Sequence, residues 1–407
     1  MSAENGSLAM TLPAVTGLRW HQRRLLDQFA RLQRGRLMLG FGAGRHFVLQ
    51  GAATGPAAEI TVRRPAPLLW RLFWRGDLGF GEGFVAGDWT SEDPASLLEL
   101  LALNLDAYAR SDSRHRLVQS LVGLQHRLRR NSRQGSRRNI AAHYDLGNAF
   151  YAQWLDPSMT YSAGVFDRGG ALADAQARKY ERMLELIDPA PGDHILEVGC
   201  GWGGFAEYAA RRGLRVTGLT LSREQLAYAR RRIARAGLAS RVEFRLCDYR
   251  DFRGEADHIV SIEMFEAVGQ AYWQTFFDML ARSLRPGGRA ALQVITIAEE
   301  HFARYAANPG GFIQTYIFPG GMLPTRTHLD DLGRAAGLRP GTCHAHGADY
   351  AETLARWRAA FDDRRDWLQR HGYDRRFRRM WRYYLAFCEA GFRAGQIDVV
   401  QRVFVRD

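Results

Sequence analysis

The stretch LEVGCGWGGF at residues 196–205 restricts the fold of this chain more than any other feature. An apolar pattern typical of a buried strand, HILEV, leads into it, and a helical pattern follows it. Glycines let the backbone turn tightly and approach a ligand closely, and the first turn of the next helix offers free N–H groups. The stretch therefore predicts a cofactor-binding loop between a strand and a helix.

Segments that alternate between strand and helix continue the pattern after this loop. The strand segments are RVTGLTLS, VEFRLCDY, DHIVSIEM and RAALQVITI, and helical segments such as REQLAYARRRIARAG separate them. Such alternation is typical of an α/β fold in which helices cover a doubly wound sheet of mostly parallel strands. We found no internal repeat.

The spacing of the loop favours one class of cofactor. A dinucleotide site reads GxGxxG with an acidic ribose ligand about 20 residues later, whereas this loop reads ExGxGxGG and the second strand ends in GLTLS. Asp248 and Tyr249, after the third strand, suit an adenine pocket. The arrangement is typical of class I methyltransferases that use S-adenosylmethionine (SAM). The predicted cofactor contacts are Glu197, Gly199, Cys200, Gly201, Gly203, Thr220, Leu221, Ser222, Gln225, Asp248 and Tyr249.

The Arg-rich segment RLRRNSRQGSRRN, which begins at residue 127, separates two differently patterned regions. Before it, helical patterns at 18–34 and 96–130 flank short strand patterns between 37 and 63. We therefore predict a smaller N-terminal α+β domain at 1–135, for lipid binding and dimerisation, and a catalytic domain at 136–407. Five aromatic residues are expected in the core of the first domain, with contact to an acyl chain as the alternative: Trp70, Phe73, Trp74, Phe80 and Phe84.

The net charge limits the classes of binding partner, and the cysteine content limits the kinds of disulfide or metal site. The net charge of +13 attracts polyanions, either nucleic acid or an anionic membrane surface. The four cysteines are scattered without CxxC pairs, which predicts neither disulfides nor a metal site and favours a reducing cytoplasm. No apolar run reaches the roughly 20 residues that span a bilayer. No Asn/Asp-Pro-Pro-aromatic motif of base-flipping enzymes is present, so nucleic acid is not the predicted partner.

Further motifs give the chain a more specific likeness. HYDLGNAFYAQWLDPSMTYSAGVF precedes the loop, and TLSREQ, DYRDF, SIEMFEAVG, YIFPGGMLP, HGADY and YYLAFCEAGFRAGQIDVVQRVF follow it; GDLGFGEGFVAGDW stands at 76–89. With these motifs, from about residue 70 onward, the chain resembles the cyclopropane-fatty-acyl-phospholipid synthase family. The resemblance implies SAM-dependent methylene transfer to a cis double bond in the acyl chain of a membrane phospholipid. It also implies peripheral association with the inner membrane and a homodimer.

The resemblance also implies the site residues. Alkene attack on the SAM methyl group leaves a carbocation, and a bound bicarbonate ion removes the last proton. The implied ligands of that anion are Glu266, Tyr350, Gln293, the backbone of Ile295 and position 163. Tyr161 and Ser162 are expected beside SAM, and Cys388 matches a family cysteine proposed as catalytic. Glu263 is expected to be scaffold at the end of the fourth strand.

Two positions depart from the pattern found in much of the family. Ala163 replaces a frequent Cys, and Gln293 replaces a frequent His, so the second residue can donate a hydrogen bond but cannot carry a proton away. These changes leave the product open. A 1,2-hydride shift before proton loss gives a methylene branch, and a methyl branch without ring closure is a related outcome. A catalytically inactive SAM-binding or lipid-binding protein and a nucleic-acid methyltransferase are the remote alternatives.

Overall fold

The computed structural model describes residues 17–42, 44–109, 146–166, 169–307 and 310–407. The predicted domain boundary at 135 and the arginines of 127–138 lie outside these ranges. The chain forms two compact units. The described part of the first consists of residues from 17 to 109 together with 310–312 and 366–396, and that of the second of residues from 146 to 307, 313–365 and 397–407.

The regular elements of the described ranges, in chain order, are eleven strands and fifteen α-helices. The strands are β1 (Arg34–Phe41), β2 (Arg45–Gln50), β3 (Ala53–Val62), β4 (Trp89–Thr90), β5 (His194–Val198), β6 (Arg215–Thr220), β7 (Val242–Leu246), β8 (Ala256–Ile262), β9 (Leu284–Ile297), β10 (Arg339–Ala345) and β11 (Ile397–Val405). The helices are α1 (Trp20–Phe29), α2 (Pro65–Ala86), α3 (Pro94–Ala102), α4 (Leu105–Ala109), α5 (Asn148–Tyr151), α6 (Leu172–Ile187), α7 (Gly204–Arg211), α8 (Arg223–Arg235), α9 (Trp273–Ser283), α10 (Glu299–Ala307), α11 (Phe312–Tyr316), α12 (Arg326–Ala335), α13 (Gly347–Asp363), α14 (Arg365–Arg370) and α15 (Arg375–Arg393). Short 3₁₀ turns occur at Tyr249–Asp251, Phe265–Ala267 and Gln270–Tyr272.

The second unit is built on a seven-stranded sheet in the order β10-β11-β9-β8-β5-β6-β7. The strands from β9 to β7 pair in parallel, and β11 is antiparallel to both of its neighbours. One apolar cluster includes α9, and another includes α6, α7 and α8. The predicted doubly wound α/β sheet is therefore confirmed. Because β5 has β8 on one side and β6 on the other, the loop after β5 lies at the switch point where such folds bind ligands.

The first unit contains a four-stranded sheet in the order β2-β1-β3-β4. The motif at 76–89 runs from α2 into β4, and polar groups of the motif form hydrogen bonds and ion pairs within the first unit. The carboxylate of Asp88 is buried and pairs with Arg64 at 2.6 Å and with Arg71 at 2.9 Å. Trp89 donates through Nε1 to the Phe80 carbonyl oxygen at 2.9 Å. The motif thus stabilises the α2–β4 junction.

Two predictions for the first unit need correction. Helix α15 packs against α2 and α3, so residues 366–396 belong to the first unit and the predicted 136–407 domain does not coincide with the second. Phe80 and Phe84 are buried as expected, but three aromatic side chains are exposed, at 64%, 50% and 43%: Trp70, Phe73 and Trp74. Spacings of three and four residues place these three side chains on one face of α2. That face is solvent-exposed.

The helices of the described ranges include none that combines the length and apolarity required to cross a membrane.

Candidate active site

The glycine loop connects β5, which ends at Val198, to α7, which begins at Gly204. Gly199 has φ +88° and Gly203 has φ +80°, which is backbone that side chains with a Cβ rarely adopt. A Cβ on Gly199 would lie only 2.8 Å from Cγ of Met264. The loop is therefore shaped by local sterics, and the N–H groups of Gly199 and Cys200 hold it to β6 by donating to the Leu219 carbonyl oxygen at 3.0 and 2.9 Å.

Glu197 lies in β5, two residues before Gly199. Its side chain is buried, and Oε2 has no hydrogen-bond partner in the described part of the chain. Burial raises its pKa to about 8, although the positive charge of Lys179 acts in the opposite direction. A buried carboxylate without a partner is costly, and a cationic ligand would compensate it.

The remaining predicted cofactor contacts follow β6 and β7, at the same edge of the sheet. Ser222 caps α8 by accepting a hydrogen bond from the Gln225 N–H at 3.2 Å. Thr220 and Gln225 are buried and hydrogen-bonded to each other. Asp248 is buried and holds the guanidinium of Arg250 at 2.7 Å. Leu221 and Tyr249, the remaining predicted contacts after these strands, are partly buried.

These features fit SAM. The glycine loop would accommodate its amino acid and ribose portions, Glu197 would face positive charge, and the residues after β6 and β7 would hold the nucleoside. SAM supplies an electrophilic methyl group when it is bound. Cys200 serves as a small buried residue here, because burial and the nearby Glu197 charge raise its pKa well above the usual range.

Glu263, expected to be scaffold, is the residue on which the implied anion ligands converge. Its Oε1 accepts hydrogen bonds from the Ala163 N–H and the Gln293 Nε2, both at 2.8 Å. Its Oε2 accepts the Tyr350 hydroxyl proton at 2.5 Å. Glu263 follows β8 directly and has φ +50°, a conformation uncommon for residues other than glycine. The sequence had assigned these donors to a separate anion.

The orientation of Gln293 is fixed by a chain of side chains that extends away from Glu263. Gln401, its partner across β9 and β11, donates through Nε2 to the Gln293 Oε1 at 2.8 Å. Arg182 in turn donates to the Gln401 Oε1 at 2.5 Å. Because arginine can only donate, this chain directs the amide NH₂ of Gln293 toward Glu263.

Glu266 lies one short turn further along the chain. Its Oε1 accepts the Ile295 N–H at 2.5 Å, which brings these two predicted residues together. Its Oε2 has no hydrogen-bond partner in the described ranges. Burial raises the pKa of Glu266 to about 8, and the Glu263 charge adds to the effect. Glu266 is therefore mostly protonated at neutral pH in the free protein.

The residues implied for bicarbonate do not form an open anion site. Three of their donor groups are occupied by the Glu263 carboxylate, and the fourth by Glu266. A further anion placed among them would displace one carboxylate or face both of them, and like charges in a buried site repel. We therefore derive no step through bicarbonate.

Lys179 is a functional candidate that the sequence reasoning missed. Among the 56 lysine and arginine residues it is the single lysine. It is fully buried on α6 and donates to the Ser162 Oγ at 2.6 Å and to the Gln176 Oε1 at 2.7 Å. Burial lowers its pKa, and the charge of Glu263 opposes that shift. All other basic residues of this kind in the chain are arginines. A single lysine therefore indicates a position that requires a compact amine.

Aromatic rings form an aromatic wall in the second unit, where they pack around the predicted residue Tyr161. Its ring centroid lies 5.5 Å from that of Tyr151, 5.4 Å from Trp154 and 5.3 Å from Trp357. The ring of Tyr350 lies 6.2 Å from Trp357. Aromatic faces attract cations, so this wall suits a sulfonium or a carbocation. Sequence reasoning selected only Tyr161 and Tyr350 from this group.

The structure does not support Cys388 as a catalytic residue. It lies on α15. Burial raises the pKa of its thiol to about 12, so no thiolate is available at neutral pH.

The chain is similar in sequence and in fold to known proteins. The chain is 42% identical over 366 residues to the tuberculostearic acid methyltransferase UfaA1 of Mycobacterium tuberculosis, which covers 88% of this chain and 85% of the relative. It is 34% identical over 356 residues to the cyclopropane-fatty-acyl-phospholipid synthase of Escherichia coli, covering 86% and 88%. The crystal structure of mycolic acid cyclopropane synthase CmaA1 with SAH and CTAB matches with a TM-score of 0.62 and 32% identity, over 66% of this chain and 97% of that chain.

SAH is the demethylated product of SAM, so its presence in that structure supports SAM as the cofactor here. The class I SAM methyltransferase fold is thereby confirmed. The model of the mycolic acid cyclopropane synthetase family matches residues 131–402, and the chain belongs to this family of SAM-dependent enzymes.

Proposed function

We propose that this protein transfers the methyl group of SAM to a carbon of a cis double bond in an acyl chain of a membrane phospholipid. The observation that carries the proposal is the partly buried carboxylate of Glu263, which accepts hydrogen bonds from three donors in the unit that also contains the glycine loop and the aromatic wall. The names of the relatives, a fatty-acyl-phospholipid synthase and a tuberculostearic acid methyltransferase, support acyl chains as the substrate.

The chemistry explains why such residues occur together. An alkene has no acidic proton, so the enzyme need not activate a nucleophile; it must exclude water and stabilise the positive charge left on the substrate carbon. The aromatic wall around Tyr161 provides ring faces for that charge. Oε1 of Glu263 already accepts two hydrogen bonds and Oε2 accepts one, so a lone pair on Oε2 is left to accept a proton.

Two products follow from the same methyl transfer. Loss of a proton from the transferred methyl group closes a cyclopropane ring, as the family name suggests. A 1,2-hydride shift before the proton is lost gives a methylene branch instead, and the 42% identity to a tuberculostearic acid methyltransferase favours this second candidate. A saturated methyl branch would additionally require a hydride donor.

Membrane phospholipid as the substrate is supported by the exposed aromatic face of α2, which consists of Trp70, Phe73 and Trp74. The three rings contact one another, with centroids 5.2 to 6.3 Å apart. Tryptophan and phenylalanine exposed together are typical of surfaces that enter the membrane interface. Exposed arginines of the same unit, Arg375 and Arg376, and the net charge of +13 favour anionic headgroups.

The test uses purified protein, SAM and vesicles of anionic phospholipid with cis-unsaturated chains. We expect released fatty acids to gain the mass of one CH₂, and vesicles with saturated chains to show no gain. Replacement of the three aromatic residues by serine should weaken vesicle binding and turnover on vesicles while leaving SAM affinity unchanged. SAM binding without any acyl product would show a catalytically inactive protein and refute the proposal, and methylation of added RNA or DNA would redirect it.

A further inference from the structure

We propose that the carboxylate of Glu263 is the general base that removes the last proton from the substrate, in place of a bound anion. The inference rests on the proposed function, because it assigns the final step of that reaction. It concerns a residue that the sequence pattern treated as scaffold. Its support comes from four independent features of the site.

The first feature is the hydrogen-bond arrangement. Ala163, Gln293 and Tyr350 come from three separate segments of the chain, and each directs a donor to the same carboxylate. A small planar anion such as bicarbonate presents the same oxygen geometry to the same donors. The side chain of Glu263 thus supplies covalently what a dissociable anion would otherwise supply.

The second feature is the backbone at Glu263. Its φ of +50° costs free energy for any residue with a Cβ and costs glycine almost nothing. Residues held in such conformations cluster at functional sites. A scaffold role at the end of β8 would be filled more favourably by glycine, so the observed glutamate indicates that the carboxylate itself is needed.

The third feature is the environment of charge. Lys179 is fully buried on α6, and its positive charge favours the ionised form of Glu263. Burial raises the pKa of the neighbouring Glu266 to about 8, which limits the repulsion between the two carboxyl groups at neutral pH. Burial also raises the pKa of Glu263, while its three hydrogen bonds and the charge of Lys179 act in the opposite direction and favour the carboxylate form.

The fourth feature is the chemical nature of the neighbours. Gln293 and Ala163 cannot accept or pass on a proton through their side chains, and the Tyr350 hydroxyl already donates to Glu263. Among Glu263 and its three donors, the group able to accept a proton is therefore the carboxylate.

One C–H bond of the transferred methyl group breaks, and the proton moves to a carboxylate oxygen of Glu263, which becomes a neutral carboxylic acid. The electron pair of that bond closes the ring onto the cationic carbon, or forms the exocyclic double bond after a hydride shift. The acid then loses its proton to water before the next turnover. No oxidant or reductant is required.

The test compares the wild type with Glu263→Gln and Glu263→Gly in buffer depleted of CO₂ and bicarbonate, and again with added bicarbonate. The glutamine variant keeps the shape and removes the base. The glycine variant removes the carboxylate at a position where the backbone favours glycine, so it should fold, which thermal melting and SAM binding would confirm.

We expect wild-type turnover to be unchanged by bicarbonate. Both variants should lose turnover by about 100-fold or more in depleted buffer. Bicarbonate should restore turnover in the glycine variant only, because glutamine still fills the anion position. A fall of wild-type turnover on depletion, or substantial turnover by Glu263→Gln in depleted buffer, would overturn the inference.

Binding of ¹³C-labelled bicarbonate, followed by NMR, gives a readout that does not depend on turnover. The glycine variant should bind the ion and the wild type should not. If the wild type binds it with these donors, Glu263 does not occupy the anion position and the inference fails even when acyl product is formed. If the wild type forms no acyl product, the proposed function fails instead, and the inferred catalytic role falls with it.

Discussion

Binding of SAM should release a proton from Glu197. In the free protein the pKa of this buried carboxyl group is about 8, so the group is about 90% protonated at pH 7. SAM carries positive charge on its sulfonium and amino groups, and a nearby cation favours the ionised carboxylate. The bound complex therefore holds fewer protons than the free protein and the free ligand together.

The number of protons released depends on how far SAM lowers the pKa of Glu197. If the pKa in the complex falls below 6, about 0.9 proton leaves Glu197 for each SAM bound at pH 7. The affinity for SAM should then rise by about tenfold between pH 7 and pH 9, equivalent to about 1.4 kcal/mol, and should level off above the pKa of the free protein. The sign is fixed: an acid whose pKa is raised in the free state makes binding of a cation weaker at lower pH.

Calorimetry in two buffers of different ionisation enthalpy counts the protons. The wild type should release about 0.9 proton more than Glu197→Gln, whose amide cannot titrate. Glu243→Gln is the control, because Glu243 is exposed on β7 and its pKa is lowered by Arg245, so it stays ionised throughout. Equal proton release by the wild type and Glu197→Gln would refute the reasoning.

Three further predictions concern stability and use denaturation of the cofactor-free protein. Gly199→Ala should cost about 2 kcal/mol or more because its Cβ meets another side chain at 2.8 Å, whereas Gly201→Ala, with no atom within 4 Å, should cost only about 1 kcal/mol for its positive φ; equal losses would contradict this. Lys179→Met should cost about 1 to 3 kcal/mol because it leaves the buried Ser162 Oγ and Gln176 Oε1 without their donor; a neutral effect would show that the amine is not needed for the fold. Burial lowers the pKa of His346 to about 3, so the unfolded chain binds a proton below pH 6.5 that the folded chain refuses, and stability should fall by about 2 kcal/mol from pH 7 to pH 5. His346→Gln should remove that loss, and an unchanged acid sensitivity would contradict the assignment.

Local patterns predicted the second unit well because its strands are short apolar segments bounded by glycine and helical segments. DHIVSIEM and RAALQVITI lie almost entirely within β8 and β9, and the glycine loop is where its spacing placed it. Such features depend on neighbouring residues alone. They also define the fold class, because alternation along the chain limits the topology.

Local patterns could not predict that residues 366–396 belong to the first unit. The periodicity of α15 shows a helix with an apolar face but does not show which unit covers that face, and it packs against α2 and α3. Trp70, Phe73 and Trp74 were expected mainly in the core because large aromatic residues are usually buried. Their helical spacing placed them on one face, but only the tertiary structure shows that nothing in the described part of the chain covers it.

The distinction between Glu263 and Glu266 could not be made from the sequence. The two residues are three positions apart, and the donors that select Glu263 come from Ala163 and Tyr350, which lie 100 and 87 positions away. The family resemblance named residues that lie together in the structure and attributed their donor groups to a separate anion, whereas in the structure these groups donate to Glu263 and Glu266. Lys179, by contrast, could have been noticed from the sequence as the single lysine in an arginine-rich chain.

The most direct test of the account uses SAM that carries a trideuterated methyl group, with cis-unsaturated phospholipid vesicles and mass spectrometry of the released fatty acids. Methyl transfer followed by loss of a proton to the site base predicts an acyl product that keeps two of the three deuterium atoms, with NMR separating a ring from a methylene branch. A product that keeps all three, or vesicles that gain no deuterium, would contradict it.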